Sequence, residues 1–211
     1  MATIDYGIVL DDIDGETNWY YYKNGDSFWN IIKRDWLDSC KEKYFKHVQN
    51  KEVMITCGAH VGMYTRFFAK QFSTVYAIEP DPFHFFCLVN NVPDSNVIKI
   101  QAAVGNEREL VKLYQSGCNG HLTYSIDPSK SNAKIPTLKI DDLNLPVCDL
   151  IQMDVEYYEY PALLGAIETI KRCSPVIIAE NGDTPEIKEL LEPLGYFIID
   201  RTSYDTIWSK K

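Results

Sequence analysis

The sequence predicts an α/β fold built on a parallel sheet with helices on both faces. Short apolar runs recur at residues 53–55, 75–78, 97–100, 150–153 and 176–179. Helix-patterned stretches separate them, as in Tyr64, Phe67, Phe68 and Phe72 after the first run. The runs lack in/out alternation, which marks strands buried on both faces, and such strands are parallel with crossover helices between them.

The elements follow in order. Ile8-Val9-Leu10 and Trp19-Tyr20-Tyr21-Tyr22 flank a turn-prone segment at 11–17, which predicts a hairpin. Asp26-Ser27 opens a helix whose apolar face is Phe28, Ile31, Ile32, Trp36 and Cys40, and the charged run at 41–46 is its solvated surface. Residues 1–50 are therefore expected to form a hairpin-and-helix extension, and 51–211 the main domain. The first strand leads into Gly58-Ala59-His60-Val61-Gly62 and a helix, and the second into Glu79-Pro80 and a helix around 82–91. Residues 109–140 break the rhythm. Strands are expected at 110–114 and 135–140, joined by a long mobile loop carrying Gly117, Gly120 and Pro128. The alternation resumes with 150–153, a helix at 161–171, 176–179, and a helix at 185–193 ending at Gly195. Residues 196–199 and 206–208 close the chain as antiparallel strands.

At 211 residues, with 45% apolar and 24% charged composition, the chain suits one domain with a small extension. A net charge of −9 disfavours nucleic acid as partner. Cys40, Cys57, Cys87, Cys118, Cys148 and Cys173 are scattered, without zinc-ligand spacing, and are expected to be reduced thiols of a cytoplasmic protein. The start of the chain has no signal-peptide pattern, and no apolar run approaches the ~20 residues of a membrane span.

In a doubly wound sheet, ligands sit beyond the carboxyl ends of the strands, where strand order reverses. Gly58 and Gly62 permit a sharp strand-to-helix turn and close ligand approach. Glu79 follows about 20 residues on, where an acid chelates ribose hydroxyls. The turn is G-x-x-x-G and lacks the middle glycine with which G-x-G-x-x-G sites pack against a pyrophosphate. It therefore favours S-adenosylmethionine (SAM), which has no phosphates, over NAD. Asp154-Val155-Glu156 and Glu180-Asn181 bring acids to two further strand ends. In a regular strand Asp154 and Glu156 point the same way, although Glu156 also suits a cap of the following helix.

With these residues in view, the chain resembles the FkbM-type SAM-dependent methyltransferases over about 50–182. The resemblance rests on Cys57-Gly-Ala-His-Val-Gly-Met-Tyr-Thr65, Val75-Tyr-Ala-Ile-Glu-Pro-Asp-Pro82 and Ala102-Ala-Val-Gly105. It continues in Leu138-Lys-Ile-Asp-Asp-Leu143, Met153-Asp-Val-Glu-Tyr-Tyr-Glu159, Leu163-Leu-Gly-Ala166 and the segment from Pro175 to Glu180. It implies a Rossmann-like class I methyltransferase fold, with a seven-stranded, mostly parallel sheet whose last strand is antiparallel. It also implies methyl transfer to oxygen, often on sugars or secondary metabolites. The family's usual Asp, Asn and Gly are replaced here by Thr56, His60 and Tyr157.

On this reading SAM lies across Gly58, Ala59, His60 and Gly62, with Glu79 and Pro80 at its ribose, Ala102 and Ala103 at its adenine and Thr65 at its carboxylate. Asp154 is the first candidate for general base, with His60 and Glu156 behind it. A metal route stays open beside it, since Asp154, Glu180 and Asn181 resemble the Mg²⁺ ligands of catechol-type O-methyltransferases. Tyr157, Tyr158 and His121 are candidate contacts to a glycan or small-molecule acceptor. The rivals are a ribose 2′-O-methyltransferase, an inactive SAM- or glycan-binding module and an NAD-linked oxidoreductase.

Overall fold

The structure, a computed structural model, describes residues 8–13, 16–22, 43–118, 121–126 and 134–210. The expected helix at 26–40 lies outside these. The main sheet has seven strands in the order β12-β13-β11-β10-β3-β4-β5. They are β3 Val53–Cys57, β4 Thr74–Ile78, β5 Val97–Ile100, β10 Leu150–Met153, β11 Val176–Glu180, β12 Tyr196–Arg201 and β13 Asp205–Lys210. All neighbours are parallel except at β13, which runs antiparallel to both β11 and β12. The expected Rossmann-like arrangement, last strand included, is present. From β3 the chain steps outward to β4 and β5, then returns to the other side of β3 as β10 and β11. Strand order therefore reverses between β3 and β10, which is where a doubly wound sheet opens its ligand crevice.

Each strand face packs into its own core. Ile55, Cys57, Ile151, Met153, Ile177 and Ala179 bury on one side of the sheet. Met54, Val75, Ala77, Leu150, Ile178 and Ile207 bury on the other, beneath Phe68, Phe72 and Leu88. This two-sided burial is why the strands read as unbroken apolar runs. Helix α1, Met63–Ala69, and helix α2, Pro82–Asn91, leave the carboxyl ends of β3 and β4. Asp81 caps α2 by accepting from the backbone N–H of Phe83 (2.9 Å) and of His84 (2.9 Å).

Three expectations change. The helix expected at 161–171 is two helices, α3 Glu159–Leu164 and α4 Ile167–Cys173. The break falls at Gly165, where a Cβ would stand 2.0 Å from the carbonyl oxygen of Gly105, so that backbone contact displaces the continuous helix. The expected long loop after residue 114 is instead paired. β7, Leu110–Cys118, forms an antiparallel hairpin with β8, His121–Ile126, and its opening residues pair with β9, Lys134–Leu138. With β6, Ala103–Val104, these strands make a second, four-stranded sheet. Ile140 opens a 3-10 turn, Ile140–Leu143, rather than ending a strand. The turn residues Gly117, Gly120 and Pro128 hid the pairing, although Leu122, Tyr124 and Ile126 alternate with polar residues along β8 at strand period. The last helix, α5, covers Pro185–Leu191 and continues as a 3-10 turn to Gly195, whose φ is 87°.

The N-terminal hairpin is present as β1, Ile8–Ile13, paired antiparallel with β2, Glu16–Tyr22. Among the described residues no helix is long and apolar enough to cross a membrane.

Candidate active site at the strand-order switch

Register lines up the site. Ile78, Cys57, Met153 and Ala179 lie side by side across four neighbouring strands. The next residue on each strand is therefore Glu79, Gly58, Asp154 and Glu180. Four separated sequence positions are brought to one edge of the sheet by pairing alone.

The turn after β3 is held by protein contacts. Gly58 donates its N–H to the carbonyl of Ile78 (2.9 Å), and Asp154 donates to that of Cys57 (3.0 Å). Gly58 has φ 78°, and a Cβ there would fall 1.8 Å from the carbonyl oxygen of Asp154. Gly62 has φ 94°, and its Cβ would press on Val92 at 2.6 Å and Leu88 at 3.0 Å. Both glycines are thus demanded by left-handed backbone and by close packing of the protein on itself, rather than only by room for a ligand. His60 also takes a positive φ, of 50°. Asn tolerates that region well, which explains the family's usual residue; His is among the few other side chains enriched there.

Glu79 is 4% exposed. Its Oε2 accepts from the backbone N–H of His60 (2.7 Å) and its Oε1 from that of Asp81 (2.8 Å). Burial nonetheless pushes its pKa up to about 8, against the pull of those two donors, with the Asp81 charge adding to the rise. His84 Nδ1 stands 3.9 Å from Glu79 and 3.8 Å from Asp81, too far for hydrogen bonds. Burial holds His84 down to about 4, so it is neutral at physiological pH. The His60 ring packs on it at 3.9 Å between centroids, and burial plus the neighbouring His84 hold His60 well below its ordinary value. The Thr65 hydroxyl, at the start of α1, is buried without a hydrogen-bond partner.

On the other side of the switch, carboxylates gather. Asp154 is hydrogen-bonded to Glu180, and its pKa is held well above the carboxylate range by burial first, then by Glu180, Glu156 and Asp205. Asp205 is in this group because it pairs directly with Glu180 across β11 and β13. Glu156 is raised to about 7 by burial and by the charges of Glu180 and Glu159. Glu159, 3% exposed, is raised to about 7 chiefly by burial, while accepting from the Val155 N–H at 3.1 Å. The strand does not run on regularly to Glu156. It ends at Met153, and Glu156 and Tyr157 adopt positive φ of 55° and 69°. The expected alternation of Asp154 and Glu156 therefore fails, although their charges remain coupled. The family's usual Gly fits the Tyr157 conformation, which costs a tyrosine about 1–3 kcal/mol. The Tyr157 side chain is 80% exposed.

Two groups of sequence candidates come together: Gly58, Ala59, His60, Gly62, Glu79 and Pro80 around the turn, and Asp154, Glu156 and Glu180 across from it. Ala102 and Ala103 are each 4% exposed and packed within the protein. Tyr158 is half-buried, with Gly105 beside its ring. Asn181 is exposed, with φ 51°, and donates its N–H to the Tyr204 carbonyl (3.2 Å). The His121 backbone lies in β8. Among the described residues no three His, Cys, Asp or Glu side chains are arranged to hold a metal ion. Sequence reasoning missed Glu159, Asp205 and His84. Glu159 continues an acid at three-residue spacing from Glu156 and was findable; Asp205 reaches the site only through antiparallel pairing. Thr56, where the family has Asp, hydrogen-bonds its register partner Gln152 within the sheet, so that position is satisfied internally.

The donor set has a definite preference. Carboxylates in mutual electrostatic reach, several held partly protonated by burial and repulsion, are relieved by a cation and opposed by a pyrophosphate.

The family model for the methyltransferase FkbM domain matches residues 56–198. Among solved structures, the chain is similar to the methyltransferase FkbM from Methylobacillus flagellatus KT. The two are 19% identical with a TM-score of 0.56, over 78% of this chain and 46% of that one. It is also similar to Trm5b from Pyrococcus abyssi, at 16% identity and a TM-score of 0.51, over 97% of this chain and 55% of that one. At these identities the likeness shows the fold. The chain thus spans about half the length of either structure. No curated protein matches this chain.

Proposed function

The chain belongs to the FkbM methyltransferase family, and from that premise we propose that it transfers a methyl group from SAM to a hydroxyl oxygen of a sugar or glycan. The observation that carries this reading is the line of Glu79, Gly58, Asp154 and Glu180 across the sheet edge where strand order reverses. SAM supplies an electrophilic methyl group on a cationic sulfur. The turn from Gly58 to Gly62, with Ala59 and His60, forms one wall of its site; Glu79 and Pro80 face the ribose, and Ala102 and Ala103 back the adenine. The buried Thr65 hydroxyl receives the amino-acid end.

The acceptor hydroxyl must be oriented and must lose a proton. Asp154, hydrogen-bonded to Glu180 and held well above the carboxylate range, is placed to orient the hydroxyl and, when ionised, to take its proton. Glu156, at about 7, is poised near working pH, where general bases are most effective. His60 is neutral but packed against His84, which ranks it behind the carboxylates. A base in this position contributes about 10²–10⁴-fold, and alignment of the attacking oxygen contributes the larger share. The proton that Asp154 retains competes with a metal ion for its oxygens, so we favour the metal-free route over Mg²⁺ at Asp154, Glu180 and Asn181. Tyr157 and Tyr158 offer aromatic faces to a sugar ring, with His121, on β8, the third candidate contact. The same carboxylates oppose a phosphate-rich acceptor, which places ribose 2′-O-methylation second.

The test is incubation with methyl-labelled SAM and a panel of glycosides, reducing sugars and RNA, read by mass spectrometry. Label on a sugar oxygen supports the proposal. Transfer to RNA alone, or to nitrogen, overturns it.

A further inference from the structure

Asn91 is the last residue of α2, 1% exposed, and its amide joins three parts of the protein. Its Oδ1 accepts from the backbone N–H of Tyr20 at 2.7 Å. Its Nδ2 donates to the Tyr20 carbonyl at 2.9 Å and to the Val61 carbonyl at 2.7 Å. Toward Tyr20 the side chain behaves as a neighbouring strand would, pairing with both backbone groups of one residue. Toward Val61 it holds the middle of the glycine turn, between His60 and Gly62, the two residues there with positive φ after Gly58. Both amide hydrogens are used, so neither bond can be replaced from within the side chain.

The hairpin makes two further contacts of the same sense. The Arg66 guanidinium of α1 lies 4.9 Å over the ring of Trp19, which is 4% exposed. The Tyr20 ring meets Phe86 of α2 edge-on at 6.0 Å. β2 therefore spans the two helices that leave the turn and the Glu79 corner, and Asn91 ties that span to the turn's backbone.

We infer that Asn91 is a positioning residue through which docking of the N-terminal hairpin sets the shape of the glycine turn, and with it the affinity for SAM. This rests on the cofactor reading above. The hairpin is then part of the cofactor site without touching cofactor. Releasing it breaks both Tyr20 bonds, leaves the Asn91 amide held by the Val61 carbonyl alone and so free to turn, and lets a turn that carries left-handed residues relax.

Asn91→Asp in the full chain tests this. At pH 8 its carboxylate would face two carbonyl oxygens, whereas the protonated acid at low pH regains one donor. The expected result is a SAM dissociation constant raised about tenfold over wild type at pH 8, the scale of the hydrogen bond to Val61, which of the two donated bonds lost is the one that holds the turn. The ratio to wild type should shrink to about threefold or less at pH 5.5, with kcat changed far less than KM. Hydrogen exchange without ligand should rise together over residues 18–22 and 58–64. Trp19→Leu, which unseats the hairpin while keeping the Asn91 amide, should weaken SAM binding in the same direction and serves if the first variant does not fold. Unchanged affinity despite faster exchange at 18–22 overturns the inference, as does a pH-independent loss. If wild type binds no SAM, the cofactor reading fails on its own. The exchange comparison then still decides the coupling, and faster exchange confined to 18–22 overturns it.

Discussion

Glu79→Gln opposes two effects that the structure allows to be sized. Burial raises the wild-type pKa from 4.5 to about 8. The folded state therefore binds this proton more tightly than the unfolded chain. A group raised in this way contributes its full stability below the unfolded value and loses it as pH rises through the folded value. The loss accrues between pH 4.5 and 8 at about 1.4 kcal/mol per pH unit, roughly 5 kcal/mol across the window. Glutamine removes the titration. It also turns an NH₂ toward one of the two backbone donors, His60 or Asp81, and leaving that N–H unpaired costs about 1–3 kcal/mol at any pH. The two effects cross. At pH 5 the variant should be less stable than wild type by about 1–3 kcal/mol, and at pH 8.5 more stable by about 2 kcal/mol or more. Urea unfolding at the two pH values measures both. A variant equally destabilised at pH 5 and pH 8.5 would refute the reasoning, because it would mean that the two backbone donors hold Glu79 ionised and outweigh burial.

Three other perturbations read other parts of the site. Asp154→Asn keeps the shape of the side chain and removes a proton acceptor crowded by Glu180, Glu156 and Asp205. Turnover should fall at least 10²-fold while the midpoint of thermal unfolding at pH 8 holds or rises; a stable variant with wild-type turnover would remove Asp154 from the proton transfer. Gly165→Ala places a methyl 2.0 Å from the Gly105 carbonyl, where only backbone movement makes room, and should cost about 2 kcal/mol or more in urea unfolding. Tyr157→Gly relieves left-handed strain at a side chain that is 80% exposed, so stability should be unchanged or slightly higher while the acceptor KM rises several-fold. An unchanged KM would take Tyr157 out of acceptor binding.

The parallel strands were legible because burial on both sheet faces leaves an unbroken apolar run, and the Gly and acid residues ending them were legible because a strand-end crevice needs those types. What stayed hidden depended on distant pairing. β8 alternates apolar Leu122, Tyr124 and Ile126 with polar residues, but the nearby Gly117, Gly120 and Pro128 made the segment read as loop. The division of the helix at Gly165 is set by the Gly105 carbonyl, sixty residues earlier in the chain. Asp205 enters the acidic group only because β13 runs antiparallel to β11. Glu156 was expected beside Asp154 by strand alternation, but the strand ends at Met153 and the backbone turns left-handed instead. The glycines of the turn suit both a sharp turn and close ligand approach in sequence, and the structure shows that the turn itself, with protein packed against Gly58 and Gly62, demands them.

The central claim is that this sheet edge holds SAM for methyl transfer. Calorimetric titration of the full chain with SAM, with NAD as control and Glu79→Ala as variant, tests it most directly. The account predicts micromolar SAM binding that is lost in the variant, and no NAD binding. No SAM binding, or a preference for NAD, would contradict it.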